Sequence, residues 1–148
     1  MNHLRDRLVE TALEWERAFG NAPGVTSAIS ELDAALLIGL TVEQYSAAMQ
    51  GSTAVQKGFD FKFNDFRYQV KACRPSGKKG SFVTKVPKAS NYDWDFLIWL
   101  LYDKSYAVQE AWLWSMESYR REFDGVKRLS PLHMRRGCSL KGATTDGS

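Results

Sequence analysis

The fold of this chain is decided by one stretch, GFDFKFNDFRYQVKA, which spans residues 58–72. Apolar and polar residues alternate on both sides of Asn64-Asp65, and a period of two is typical of a β-strand with one buried face. Asn-Asp also suits a two-residue hairpin turn. The stretch therefore predicts a β-hairpin that runs from about Lys57 to Cys73.

The register of this hairpin follows from its turn. One face is predicted to be apolar, with the pairs Phe63–Phe66, Phe61–Tyr68 and Phe59–Val70. The other face is predicted to set Asp60 opposite Gln69, with Lys71 two residues further along. An acid, an amide and a lysine on one side of a sheet can hold a divalent cation beside a phosphate.

The composition is that of one folded domain. The chain has 148 residues, of which 44% are hydrophobic, and this is enough for one core. We therefore expect a single domain over 1–148. No apolar run reaches the ~18 residues of a membrane span, and the N-terminus lacks the pattern of a secretory signal. These features predict a cytoplasmic protein without a membrane partner.

Helical and extended patterns flank the hairpin. Helices are expected over 3–19 and from about 26 to 40, and Thr41-Val42-Glu43-Gln44 fits a capping box that starts a third. The apolar run at 94–102 predicts a central strand, and further strands are expected over 106–114 and 82–86. A helical region is expected over 116–141, with a short helix over 116–123 and a last helix that starts near Leu132, where Ser130-Pro131 supplies a cap and a first-turn proline. This order of helices, a meander of about four strands and further helices fits an α/β or an α+β sheet with helices on its faces, and we predict the α/β class.

The apolar stripes of the helices and the tryptophans are the predicted packing material. The first helix carries Leu4, Leu8, Ala12, Trp15 and Phe19 at near-helical spacing, with charges on its other face. The buried side of the second helix is predicted to hold Ala28, Ile29, Leu32, Ala35, Leu36 and Gly39. Core packing is favoured over base stacking for Trp94, Trp99, Trp112 and Trp114.

The distribution of charge favours a polyanionic partner. The net charge is only +3, but residues 67–88 contain seven Lys or Arg and no Asp or Glu. A basic block of this kind can neutralise the phosphates of a nucleic acid, and a merely solvated surface is the alternative reading. The predicted nucleic-acid-binding residues are Arg74, Lys78, Lys79 and Lys85.

The polar face of the hairpin suits phosphodiester hydrolysis. Asp60 offers a hard anionic oxygen to Mg²⁺, Gln69 offers a neutral one, and the backbone carbonyl of Val70 lies between them and Lys71 in sequence. Lys71 is expected to orient the attacking water or to neutralise charge in the transition state.

These residues resemble the PD-(D/E)xK nuclease superfamily, which has the restriction-endonuclease-like fold. Asp60 matches the first aspartate of the motif, Gln69-Val70-Lys71 matches its (D/E)-x-K element, and Glu31 best matches a glutamate on a preceding helix, with Asp33 as a weaker match. The resemblance spans about residues 25–115, which are therefore the expected core of the domain, and it implies a central mixed sheet of about four strands flanked by helices. It also implies an endonuclease that depends on Mg²⁺, for which Mn²⁺ can substitute, and that acts on DNA in restriction, repair, recombination or the biology of mobile elements.

The resemblance assigns the site residues as follows. Asp60, Gln69, Lys71 and Glu31 are catalytic, and Asp60, Gln69 and Glu31 hold the metal. The chain departs from the motif in two places, since Phe59 stands where a proline is expected and Gln69 replaces an acid. A catalytically weak or inactive nucleic-acid-binding module of the same fold is therefore the alternative. A third reading is an interaction protein whose basic surface meets an acidic partner. A homodimer is compatible with a small nuclease that pairs two active sites.

Overall fold

A computed structural model describes residues 3–51 and 58–141 of the chain. In chain order, its elements are α1 (His3–Phe19), α2 (Thr26–Leu37), α3 (Val42–Gln50), β1 (Phe61–Phe63), β2 (Phe66–Cys73), β3 (Phe96–Tyr102), β4 (Val108–Ser115), α4 (Met116–Phe123), α5 (Pro131–Met134) and β5 (Cys138–Ser139). The α/β prediction is confirmed. Lys57, the predicted first residue of the hairpin, lies outside the described residues.

The strands form one mixed sheet in the order β1-β2-β3-β4-β5. Strands β2 and β3 are parallel and the other neighbours are antiparallel, so the predicted meander is wrong. A parallel pair needs a crossover, and residues 74–95 provide it. The strand predicted over 82–86 is reduced to an isolated bridge between Val86 and Leu129. The C-terminal region, in which only helices were predicted, also adds β5 to the edge of β4.

The turn of the β1–β2 hairpin confirms the predicted register near its tip. Phe63 pairs with Phe66 and Phe61 with Tyr68. Asn64 and Asp65 have φ values of 51° and 68°. Positive φ at both central residues is the backbone of a type I′ turn, whose twist matches that of the two strands.

Each face of the sheet buries its own apolar cluster, because β3 is apolar on both sides. On the face that α1, α2 and α3 cover, which we call the α2 face, Ile98 and Leu100 pack with Val70. The opposite face, which we call the α4 face, is covered by α4 and by the crossover. It buries Trp94, Trp99 and Trp114, whereas Trp112 is half-buried. The prediction that the tryptophans pack in the core is confirmed for these three.

The residues that α1 and α2 bury differ in part from the apolar stripes that the sequence predicts for these two helices. α1 buries Val9 and Ala12, while the rest of its apolar stripe is exposed. α2 buries Ile29, Ser30, Asp33, Ala34 and Ala35, whereas Ala28 is exposed. The buried carboxylate of Asp33 explains the difference, because it requires polar partners. It accepts hydrogen bonds from Arg5 of α1 at 3.0 and 2.9 Å and from the Tyr102 hydroxyl of β3 at 2.6 Å. A buried charge that is paired in this way fixes the facing sides of α1 and α2.

Across residues 3–51 and 58–141, no helix combines the length and the apolar character that a membrane span requires.

Candidate active site

Asp60 lies at the start of β1, where the hairpin ladder becomes irregular. Its backbone N–H donates to the carbonyl of Tyr68 at 2.8 Å, although Tyr68 is also the register partner of Phe61. Two residues of one strand that oppose one residue of the other have the pattern of a β-bulge. A bulge breaks the alternation of side chains, and Phe59 accordingly packs on the α4 face while Phe61 packs on the α2 face.

The bulge changes the partners of Asp60. The predicted pairs Phe59–Val70 and Asp60–Gln69 do not form, because the ladder ends at Phe61. Instead, Asp60 Oδ2 accepts a hydrogen bond of 2.7 Å from the backbone N–H of Val70. The side chain of Asp60 is thereby fixed at the edge of β2.

Gly58 permits this approach of the chain to β1. Its φ is +85°, and a Cβ at this position would lie 2.6 Å from the Cβ of Asp93. Both the backbone conformation and the close contact require glycine.

The backbone of Val70 offers a second oxygen at the same edge. Residues of a strand direct their N–H and C=O groups alternately to one neighbour and then the other. The N–H of Val70 points to Asp60, whereas Arg67 accepts from the N–H of Asp95 on the β3 side. The carbonyl of Val70 therefore points to the edge at which the Asp60 carboxylate lies.

Glu31 of α2 faces this edge from the α2 face of the sheet. Its side chain is half-buried, and burial together with the charge of Asp60 raises the pKa of Glu31 to about 7. Burial also raises the pKa of Asp60, while the hydrogen bond from Val70 and the charge of Lys71 act in the opposite direction. The charge of Asp60 thus opposes the ionisation of Glu31, and a cation bound between the two carboxylates would offset this repulsion.

Asp33, the other acid that the sequence offers on α2, does not face Asp60. Its carboxylate is held by Arg5 and Tyr102 within the core. Of the two acids that the sequence offers on α2, Glu31 is thus the one directed to Asp60.

Tyr45 of α3 lies beside Glu31 and Asp60, and the sequence did not indicate it as a site residue. Burial raises the pKa of Tyr45 to about 12, and the charges of Glu31 and Asp60 act in the same direction. Its ring contacts that of Phe61, with the centroids 6.3 Å apart. The capping box at Thr41, which the structure confirms, fixes the start of α3, but nothing in the sequence indicates which face of this helix meets Glu31.

Gln69 and Lys71 lie on the α4 face of β2. Their register partners are Leu97 and Trp99, which pack in the cluster of the α4 face. Lys71 is near enough to Asp60 for its charge to lower the pKa of that carboxyl group. Asp60 therefore stands at the strand edge between Glu31 on one face of the sheet and the Gln69–Lys71 pair on the other.

The candidate metal ligands are few. Among residues 3–51 and 58–141, no three His, Cys, Asp or Glu side chains form a group that could hold a metal ion. The donor set here is two carboxylates, Glu31 and Asp60, with the carbonyl of Val70. Mg²⁺ accepts such a set, because it commonly keeps several waters and binds one or two carboxylates together with substrate phosphates.

The four predicted phosphate-binding residues differ in their surroundings. Lys78, Lys79 and Lys85 are exposed on the crossover that follows β2. Arg74 is instead tied to the protein, since its guanidinium donates to both carboxylate oxygens of Glu16 at 3.1 and 2.9 Å and to the carbonyl of Lys104. It also lies over the ring of Tyr106, 4.4 Å from the centroid. These contacts brace the end of β2 against α1.

In comparisons with known proteins, no family model matches this chain, and no curated protein matches it either.

Proposed function

We propose that this protein is a metal-dependent nuclease that hydrolyses phosphodiester bonds, with DNA as its substrate and Mg²⁺ or Mn²⁺ as its ion. The observation that carries the proposal is the edge of β2. There, the carboxylate of Asp60 is held 2.7 Å from the N–H of Val70, between Glu31 and Lys71. Hard oxygen donors next to a lysine are the groups that phosphodiester hydrolysis needs.

Each residue of the candidate site would have its own role in phosphodiester hydrolysis. Asp60, Glu31 and the carbonyl of Val70 would hold the ion, which would polarise the phosphoryl group and lower the pKa of a bound water. Lys71 would neutralise charge that develops on the phosphate and would orient the attacking water. The hydroxyl of Tyr45 is protonated near neutral pH, and the raised pKa of about 12 extends this to alkaline pH, so it is available as a hydrogen-bond donor to a carboxylate or to the phosphate.

Substrate binding would fall to the lysines of the crossover. Lys78, Lys79 and Lys85 are exposed, and the crossover begins three residues after Lys71. Contacts of lysine with phosphate position a nucleic acid without reading its sequence. Arg74 is not part of this proposal, because its guanidinium already binds Glu16.

The test is a cleavage assay on plasmid and linear DNA with Mg²⁺, with Mn²⁺ or with EDTA. We expect cleavage that requires the ion and that falls by about a hundredfold or more in Asp60→Asn and in Lys71→Ala. Asn at position 60 retains an acceptor for the N–H of Val70, so the fold should survive. Lys62→Ala is the matched control, because Lys62 is an exposed lysine on β1 of the same hairpin. Activity that persists in Asp60→Asn would overturn the assignment of the site.

A catalytically weak nucleic-acid-binding module remains the second candidate, and the position of Gln69 favours it. Gln69 stands where the motif has an acid and lies on the α4 face, so that, among residues 3–51 and 58–141, two carboxylates meet at the edge of β2. A gel shift that is sensitive to salt, without cleavage in any metal, is the result expected for this candidate. An interaction protein that binds an acidic partner would show neither cleavage nor a shift.

A further inference from the structure

α1 carries a continuous apolar stripe that its own fold leaves uncovered. Leu4, Leu8, Trp15 and Phe19 are 68%, 37%, 51% and 68% exposed, and the rings of Trp15 and Phe19 are in contact with their centroids 4.8 Å apart. Single exposed apolar residues are ordinary on a protein surface, whereas a contiguous row of them marks an interaction surface.

The spacing of the stripe is that of a seam between two helices. Leu4, Leu8, Thr11 and Trp15 follow one another at intervals of four, three and four residues, which is the 3.5-residue period of a coiled coil. Thr11 is compatible with the seam, because its hydroxyl donates to the carbonyl of Arg7 at 2.9 Å within the same helix. Its methyl group remains available for packing.

The apolar surface also continues beyond α1. Leu4 and Leu8 line a groove between α1 and α2, together with Ala28 and Leu32 of α2, and Glu31 and Tyr45 of the candidate site line the same groove. A helix that lies on the stripe would cover part of this groove and so bury more apolar area than one helix face provides.

We propose that the occupant of the stripe is α1 of a second copy of this chain, packed antiparallel about a twofold axis. This pairing sets Leu4 against the partner's Trp15 and Leu8 against the partner's Thr11. In the same register, Arg7 lies opposite the partner's Glu14, and the twofold axis repeats the contact. Within the described residues, neither Arg7 nor Glu14 forms a salt bridge of its own, and both are exposed.

A parallel arrangement lacks this complementarity. It would set Arg7 near the partner's Ala12 and Glu14 near the partner's Phe19, so that neither charge would meet an opposite one. Ala12 is moreover buried in the core of its own chain. The charges of α1 are thus self-complementary in the antiparallel arrangement alone. This inference does not depend on the proposed nuclease activity.

The test is analytical ultracentrifugation of the full chain across the micromolar concentration range. We expect a reversible dimer whose dissociation constant rises about tenfold in Arg7→Glu and in Glu14→Arg, because each reversal turns both symmetric attractions into repulsions. The double variant Arg7→Glu/Glu14→Arg restores the contacts with their signs exchanged and should return the dissociation constant to its original value. Trp15→Ala should also weaken the dimer at least about tenfold.

Two charge reversals on the same helix serve as matched controls. Glu10 and Arg17 are exposed and lie on the side of α1 away from the stripe. Glu10→Arg and Arg17→Glu should therefore leave the dissociation constant of the dimer unchanged. Circular dichroism would verify that each variant is folded. A chain that stays monomeric throughout the range would overturn the proposal. A double variant as weak as the single ones, or a dimer that is insensitive to Trp15→Ala, would also overturn it.

Discussion

Glu31 lies half-buried on α2 in the field of Asp60, and its pKa is raised from 4.5 to about 7. Because the folded chain then holds this proton more tightly than the unfolded chain, the free energy of unfolding should fall as pH rises from about 4.5 to about 7 and level off above. Glu31→Gln removes this loss. We expect the variant to be more stable than the original chain at pH 8, by on the order of 2 kcal/mol, and to match it near pH 4. Urea unfolding in EDTA at both pH values would measure this, and an equal difference at the two would contradict it.

Asp60 and Glu31 should also link stability to metal. A divalent cation that binds only the folded site stabilises the chain by mass action, and it removes the repulsion between the two carboxylates. We therefore expect Mg²⁺ or Mn²⁺ to raise the Tm at pH 8, and EDTA to reverse the change. Asp60→Asn should abolish the shift. Asp65→Asn is the control, since it removes the same charge at the exposed turn of the hairpin, and it should leave the shift intact.

At the scale of elements, the turn of the β1–β2 hairpin is not at its optimum. Asp65 has a φ of 68°, a region in which glycine is favoured at the second central residue of a type I′ turn. Asp65→Gly should stabilise the chain by about 0.5 to 1 kcal/mol, and Asp65→Ala should destabilise it by about 1 kcal/mol. Thermal unfolding of the pair measures both. An Ala variant as stable as the Gly variant would show that the turn has another backbone conformation.

The loop of the crossover has a testable role in binding. Lys78 and Lys79 are exposed in a segment without acids, so their contacts with a nucleic acid would be electrostatic. Lys78→Ala/Lys79→Ala should weaken binding equally for all sequences, and the slope of log affinity against log salt should become shallower by about two. Fluorescence anisotropy with two unrelated duplexes at several salt concentrations gives this slope. A loss confined to one duplex would contradict a role in phosphate contact.

The helices and strands were predictable where apolar and polar residues repeat with a helical or an extended period over many residues. α1 and α4 begin and end at their predicted bounds, and α3 begins after its predicted capping box. The hairpin register at Phe61 and Phe63 follows from the turn. The two residues of β5 carry no period. The bulge at Asp60 was hidden as well, because Phe59, Phe61 and Phe63 continue the alternation in the sequence while the backbone interrupts it.

The candidate site was predictable only in part, for a reason that lies in side-chain direction. The sequence indicates Asp60, Lys71 and Glu31. Regular alternation along the hairpin, however, would place Asp60 on the same face as Gln69. The bulge instead directs Asp60 to the N–H of Val70. In α1, the stripe marks an apolar face, but the core takes only Ala12 from it, and Leu4, Leu8, Trp15 and Phe19 stay exposed. The ion pair between Arg5 and Asp33 sets which side of α1 meets α2, and a contact over 28 residues of sequence leaves no local pattern.

At the scale of the whole molecule, one buried network joins three elements behind the candidate site. Arg5 of α1 binds Asp33 of α2 and donates to the carbonyl of Tyr106 at 2.7 Å, while the hydroxyl of Tyr102 on β3 donates to the same carboxylate. Asp33 lies two residues after Glu31 on α2. The network therefore holds the helix that directs Glu31 to Asp60.

Removal of the shared acceptor should cost far more than removal of one donor. Asp33→Ala removes the 2.9 Å ion pair of the half-buried Arg5 guanidinium, whose contact with Asp6 is longer at 3.6 Å, and it also removes the acceptor of the Tyr102 hydroxyl, which should lower the free energy of unfolding by about 3 to 5 kcal/mol. Tyr102→Phe removes a single hydrogen bond and leaves the ion pair intact, so about 1 to 2 kcal/mol is expected. Urea unfolding of the two variants at pH 7 gives both values. If Asp33→Ala proved as mild as Tyr102→Phe, the pair between Arg5 and Asp33 would not be what locks α1 and α2 to the sheet.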